Sequence, residues 1–305
     1  MRIEILKYSL LRKLWLMAAG FGLAGLLTVA RAATTATPGT LNYVEGQVSI
    51  DGQTVTTKDI GTAQLSENQV LETGQGKAEV LLTPGVFLRV GENSTLRAAS
   101  MGLADIRVEL VRGEALVEVT ELFKGNDIRI LEGNSSTRLL KNGLYRFDAG
   151  NLSVSVLDGK AQVSEGDQTQ SLKKGREIQL QQAKWKAVKF DRTSEDSLYA
   201  WSELRSNYVA LASMQTSRTL VGSRQWYGPG WYWAPYWSMF SYIPGHGIFY
   251  SPFGGGFYST WPGYYGPVFT HDWRGGYHHG FGESFHGSIS GHGSVGGHGG
   301  GHGSH

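Results

Sequence analysis

The sequence predicts a mainly β protein: a sandwich- or roll-like antiparallel β body, one C-terminal amphipathic helix and a low-complexity Gly/aromatic/His tail. Apolar and polar residues alternate with period two from Leu41 to about Phe190, the mark of half-buried strands. Turn signals such as Pro-Gly and Asp-Gly separate the alternating runs, because proline presets φ and glycine accepts positive φ. The composition then breaks. Residues 224–305 hold 22 of the 43 glycines, 22 of the 35 aromatic residues and all nine histidines, but only four charges. That segment cannot continue the body's alternation.

The elements follow in order. MRIEILKYSLLRK is basic, LWLMAAGFGLAGLLTVA is apolar, and Ala30-Arg31-Ala32 offers small residues to a signal peptidase. Residues 1–32 are therefore expected to be an export signal, cleaved before Ala33. The alternative is an uncleaved membrane anchor, since 17 apolar residues lie at the low edge of what spans a bilayer. Without residues 1–32 the chain has 23 basic and 25 acidic residues, a net charge of −2. No basic face is expected, which excludes nucleic acid as a partner. The chain has no cysteine, which excludes disulfides, thiolate metal sites and thiol catalysis. A body of this length can supply a core that holds it without crosslinks.

Within residues 41–190, Ala78, Val80 and Leu82 share one face, Thr83-Pro84-Gly85 turns the chain, and Val86, Leu88 and Val90 share the next. Tyr145 and Phe147 alternate with Arg146 and Asp148. Ala149-Gly150-Asn151 turns, Val154 and Val156 continue, and Asp158-Gly159 is expected to make the next tight turn. A unit recurs: GQVSI from Gly46, GEALVEV from Gly113 and GKAQV from Gly159. The glycines are expected where a Cβ would clash. Ten to twelve short strands are expected in all.

The ordered set YVEGQVSI, LSENQVLETGQGKAEVLLTPGVFLRVGENSTLRA, VELVRGEALVEV and YRFDAGNLSVSVLDGKAQV resembles a FecR-type domain over roughly residues 41–180. The resemblance implies an extracytoplasmic β domain, which in well-known members relays a signal from an outer-membrane receptor to a cytoplasmic sigma factor. Those regulators carry a cytoplasmic helical domain ahead of the membrane segment. Here 13 residues precede the apolar run, too few to fold, so the domain carries over and the anti-sigma relay does not.

Residues 192–220 are expected to form the helix, capped by Ser194 with Glu195 and Asp196 in its first turn. Leu198, Trp201, Leu204, Tyr208 and Leu211 fall at three- and four-residue steps, a stripe expected to pack on the β body. The alternative is a docking face. Residues 221–286 form an aromatic, Gly- and Pro-rich segment. Its stretch WYGPGWYWAPYW sets Trp226, Tyr227, Trp231, Tyr232, Trp233, Tyr236 and Trp237 among two prolines and no charge. Those seven rings either wrap the body, form a binding surface for an envelope protein or glycan, or belong to a sticky disordered tail. The wrap is the leading reading. Residues 287–305 are too rich in glycine and histidine to order themselves.

His278, His279, His292, His298, His302 and His305 are candidate metal ligands, because a flexible tract can gather imidazoles around Zn²⁺, Ni²⁺ or Cu²⁺. No fixed spacing or supporting shell is visible, so only weak divalent transition-metal binding is expected and no cofactor. HExxH, GxSxG and Walker motifs are absent, and no enzymatic activity is expected. The sequence thus reads as a non-enzymatic binding or scaffold protein of the bacterial cell envelope, exported to the periplasm or cell surface. A signal-sensing or regulatory role follows from the resemblance. The alternative is a metal-sequestering protein acting through its His-rich tail.

Overall fold

The computed structural model describes residues 36–191 and 196–260. The expected signal segment (1–32), the end of the aromatic segment (261–286) and the Gly/His-rich tail (287–305) lie outside the described residues.

Strands β1 (Leu41–Ile50) and β2 (Gln53–Thr54) open the chain, and β3 (Val70–Leu81) runs beside β1. There follow β4 (Val86–Val90), β5 (Thr95–Gly102), β6 (Asp105–Arg112) and β7 (Glu114–Val119). Next come β8 (Asp127–Glu132), β9 (Ser135–Leu139), β10 (Gly143–Asp148) and β11 (Ser153–Asp158). Finally β12 (Lys160–Glu165), β13 (Gln168–Lys173), β14 (Arg176–Gln179) and β15 (Val188–Lys189) complete a 15-stranded sheet. The count exceeds the expected ten to twelve, and β2 and β15 are two-residue pairings at the margins of the sheet.

Strand β3 joins two leaves. Its first residues, Val70, Leu71 and Glu72, pair with β5, and Ala78, Glu79, Val80 and Leu81 pair with β4. One leaf runs β5-β6-β8-β9-β12-β13 and the other β4-β7-β10-β11-β14-β15. All pairings are antiparallel except β6 with β8, which is parallel. Inward residues of both leaves share one buried cluster: Val108, Ile130 and Val163 meet Leu88, Val117 and Phe147. The architecture is a sandwich-like roll. Each fully buried aliphatic or Phe side chain contributes about 1.5–3 kcal/mol, and this core holds a chain without disulfides.

Thr83-Pro84-Gly85 forms the expected hairpin turn, with Gly85 at φ +82°. Asp158-Gly159 differs from expectation, because β11 and β12 do not pair. β11 lies between β10 and β14, and β12 between β9 and β13. Gly159 (φ +94°) instead carries the chain from one leaf to the other, as Gly113 (φ +79°) does between β6 and β7. A Cβ on Gly113 would sit 2.1 Å from the Ser94 hydroxyl, and one on Gly159 2.4 Å from that of Tyr145. At Gly113 and Gly159 the recurring glycine therefore marks a corner, whereas Gly46 (φ +64°) sits within β1 at a register shift against β3. The alternating strand that follows each corner is the entry into the other leaf.

Helix α1 (Ser197–Leu220) lies outside the sandwich on β4 and β7. Hairpins β16 (Gly230–Ala234) with β17 (Met239–Ile243), and β18 (Ile248–Tyr250) with β19 (Gly256–Tyr258), pack beside it. No helix among the described residues is long and apolar enough to cross a membrane.

Candidate partner-binding face

Helix α1 starts where Asp196 caps it, its side chain accepting the Tyr199 N–H at 2.8 Å. Ser194 and Glu195, the expected cap and its neighbour, lie outside the described residues. Arg146 of β10 ties the cap to the sheet by pairing with both Glu114 and Asp196.

The helix buries a different face from the one its apolar stripe predicts. Leu198 and Trp201 are buried, but Leu204, Tyr208 and Leu211 are 53%, 41% and 46% exposed. The buried side carries Ser202, Arg205, Ser206, Val209, Ala210, Ser213 and Ser217. The reason lies beneath it. The outer face of the sheet presents Glu79, Arg89 and Glu118, all fully buried. A leucine stripe would strip water from those charges and return no hydrogen bonds. Small hydroxyl side chains let the helix approach and supply partners.

These groups form one network. Arg89 donates from Nε to Glu79 at 2.9 Å and from Nη1 to Glu118 at 2.5 Å. Arg205 reaches down from the helix and donates to the other oxygen of Glu79 at 3.0 Å. Its guanidinium lies 4.0 Å from the Tyr43 ring centre, a cation–π contact. Asn42 donates to Glu79 at 2.9 Å and to the Phe240 carbonyl at 3.1 Å, and accepts the Phe240 N–H at 2.7 Å. Ser206 donates to Glu118 at 2.9 Å. Since its one proton is spent there, Ser251, 2.8 Å away, donates to it. Burial pushes the Glu79 carboxyl up, but Arg205 and Arg89 outweigh it and hold the group below the usual carboxylate range. Burial likewise lowers Arg89, and Glu118 and Glu79 more than reverse it. Two guanidiniums and two carboxylates balance in charge. Removing one partner from such a set costs about 3–5 kcal/mol, because a buried charge is left bare.

The hairpin β16–β17 carries most of the predicted aromatic site. Trp231 is buried edge-on against Phe87 and Tyr242, at 5.0 and 5.9 Å between ring centres. Tyr232 is buried and donates to the Gly228 carbonyl, while Trp226 and Tyr227 both stack on its ring. Trp233, half-buried, packs on Phe240. Trp237 donates to Gln215 of the helix at 2.8 Å and lies against Tyr208. Tyr227 and Tyr236 are exposed, Tyr236 at 80%. The seven rings thus divide: Trp231 and Tyr232 are packing, while Tyr236 and Trp237 border the exposed stripe of α1. Together Leu204, Tyr208, Leu211, Trp237 and Tyr236 give the outer layer an apolar face on a base fixed by the charge network.

The six candidate metal ligands, His278, His279, His292, His298, His302 and His305, lie outside the described residues. Among the described residues no group of three or more His, Cys, Asp or Glu is placed to hold a metal ion. Sequence reasoning missed Glu79, Arg89, Glu118 and Arg205. The three sheet residues sit at the polar phase of alternating strands and look like solvent-facing positions. One signal did exist: Ser202, Ser206, Ala210, Ser213 and Ser217 recur at helical spacing, a small-residue stripe that marks close approach.

The FecR protein family model matches residues 69–182, from the start of β3 to just past β14. That span includes Glu79, Arg89 and Glu118 and excludes the helix and both outer hairpins. Two solved structures of a candidate anti-sigma factor from Parabacteroides distasonis ATCC 8503, at 1.65 and 2.50 Å resolution, resemble the chain at 17% and 18% identity. They cover 44% and 43% of this chain and 64% and 62% of their own, with TM-scores of 0.37 and 0.36. The chain spans less than two thirds of either relative's length. No curated protein matches the chain.

Proposed function

We propose that this chain, which carries a FecR-like domain over residues 69–182, is a non-enzymatic, extracytoplasmic binding protein of the bacterial cell envelope. In this reading the helix–hairpin layer is its binding face, and the partner is another protein of a signal-sensing or regulatory assembly. One observation carries the reading. Leu204, Tyr208 and Leu211 face outward on a helix whose polar side is buried, beside Tyr236 and Trp237. The charged base accounts for the buried polar side, but folding alone does not call for leucine and aromatic residues at the outward positions, where polar ones would serve. Leucine and aromatic anchors on a rigid base suit protein recognition, since little conformational freedom is lost on binding. Trp237, locked by its hydrogen bond to Gln215, is such an anchor.

The test is partner capture by crosslinking in envelope extracts, with the full chain and its Leu204→Asp/Leu211→Asp variant as baits. The reading requires a protein that the wild type captures and the variant loses, at unchanged thermal stability. Equal capture by both baits would overturn it. Retention on a glycan resin by the same face would replace the protein partner with a carbohydrate.

A further inference from the structure

At one end of the sandwich, away from the helix, a cleft of about 680 Å³ opens between the leaves. The β8–β9 turn (Glu132 to Ser135), the β12–β13 turn (Glu165, Asp167, Gln168), Leu152 before β11 and the segment from Leu180 to Ala183 line it. Glu132 follows Ile128 and Ile130 on the inward phase of β8 and is 2% exposed. Among the described residues neither of its carboxylate oxygens has a partner of good hydrogen-bond geometry or an opposite charge; the one donor facing it is the backbone N–H of Asp148. Its polar neighbour across the interior is Asp148 at the end of β10, whose own carboxylate accepts from Gly150 and Asn151. Among the described residues no lysine or arginine lines the cleft.

We propose that this cleft binds a primary ammonium or guanidinium group, with Glu132 as its buried counter-ion and Glu165 and Asp167 at its mouth. An unpaired, buried carboxyl is costly unless a ligand supplies donors and opposite charge. The cleft also offers what the rest of such a ligand needs. Leu152, Leu180 and Ala183 suit an alkyl stem, and the side-chain amides of Gln168 and Gln181 can accept N–H groups. Its carboxylates are not gathered tightly enough to hold a metal ion, and its volume exceeds what one ion fills. Burial, and then the charge of Asp148, push the Glu132 carboxyl up to about 8, so it is protonated at neutral pH when the cleft is empty. The ammonium enters, Glu132 releases its proton to solvent, and a neutral acid becomes one half of an ion pair. Affinity therefore rises about tenfold per pH unit below that value and levels off above it.

Calorimetry on the full chain tests this, with n-butylamine and the peptide Gly-Lys-Gly as probes, in buffers of different ionisation heat. The expected result is binding with close to one proton released at pH 7. Glu132→Gln should bind about tenfold more weakly or worse, as for loss of a charge-assisted bond, and release no proton. The Glu165→Gln/Asp167→Asn variant, altered only at the rim, should weaken binding and keep the proton release, and it serves if Glu132→Gln does not fold. Tighter binding of the peptide assigns the cation to a protein side chain; tighter binding of the free amine assigns it to a small molecule. Full affinity in Glu132→Gln, equal binding of n-butanol, preference for Ca²⁺ or no amine binding would each overturn the proposal.

Discussion

Between the two leaves the packed side chains are Val, Leu, Ile and Ala with Tyr145, Phe147 and Trp185. Under helix α1, Leu81, Phe87 and Leu116 share the layer with Arg89, Glu79, Glu118, Arg205 and a row of serines. Both places are buried, yet only the second is built around charge. An apolar core is forgiving: side chains of the right volume can repack and the fold persists. A buried charge network is not, because truncating one member leaves its partners' charges bare. The first interface makes the body stable. The second fixes the register of helix and hairpin on the body, and with it the direction in which Leu204, Tyr208 and Leu211 point.

The comparison breaks most sharply at Arg89. Arg89→Ala should cost about 3–5 kcal/mol by leaving Glu79 and Glu118 bare, no less than Leu88→Ala in the apolar core, at about 2–5 kcal/mol. Urea unfolding of the full chain measures both. A loss below about 1 kcal/mol would show that water satisfies the network and that the two interfaces are alike.

The two regions should also answer pH with opposite signs. Glu79 titrates below its ordinary 4.5, so its stabilisation is present above that value and is lost as pH falls through the depressed one. Glu132 is raised from 4.5 to about 8, so stability is full below 4.5 and is lost as pH rises toward 8. Glu132→Gln should accordingly gain on the wild type by about 1–3 kcal/mol between pH 5 and pH 8. Thermal melts across that range check it, and a pH-independent difference would refute it.

A smaller or equal effect is expected at the close approach under the helix. A Cβ on Gly255 would lie 2.9 Å from that of Ala210, so Ala210→Leu should overpack the contact and cost about 1–3 kcal/mol. Smallest in stability is Leu204→Asp/Leu211→Asp, within about 0.5 kcal/mol as for exposed sites. If that double variant unfolds the chain instead, the stripe is packing and the face is no docking surface.

Much of the body was legible in the sequence. Val86, Leu88 and Val90 alternate, Pro84-Gly85 turns, and the strands fall where the period places them. Alternation reports which phase is apolar, however, and not whether the other phase meets water. Phe87 and Arg89 share the outer face of β4, and both are fully buried. Only the arrival of a helix from over a hundred residues away decides that. The same limit explains the face of α1. A stripe of large apolar residues predicts burial only where the surface waiting for it is apolar, and here that surface holds Glu79 and Glu118. For the aromatic stretch the leading reading, a local wrap, describes Trp231 and Tyr232. Tyr236 keeps the binding-surface reading alive. Asp158-Gly159 was misread because a tight turn and a corner between leaves use the same glycine geometry, and only the pairing partners tell them apart.

The network joins residues made at different moments. Glu79 and Arg205 are 126 positions apart, and Asn42 and Phe240 are 198 apart. In a chain that emerges N-terminus first, the outer face of β3, β4 and β7 stays open until the helix that covers it arrives, 126 positions on for Glu79 and 88 for Glu118. A purely apolar face left open that long would invite other unfinished chains to stick. Glu79, Arg89 and Glu118 keep it wettable through the wait. The cost of burying charge is deferred until the covering residues arrive with their own hydrogen bonds. The polar layer thus acts as a timer-tolerant seal: harmless while open, and selective for its own lid when it closes.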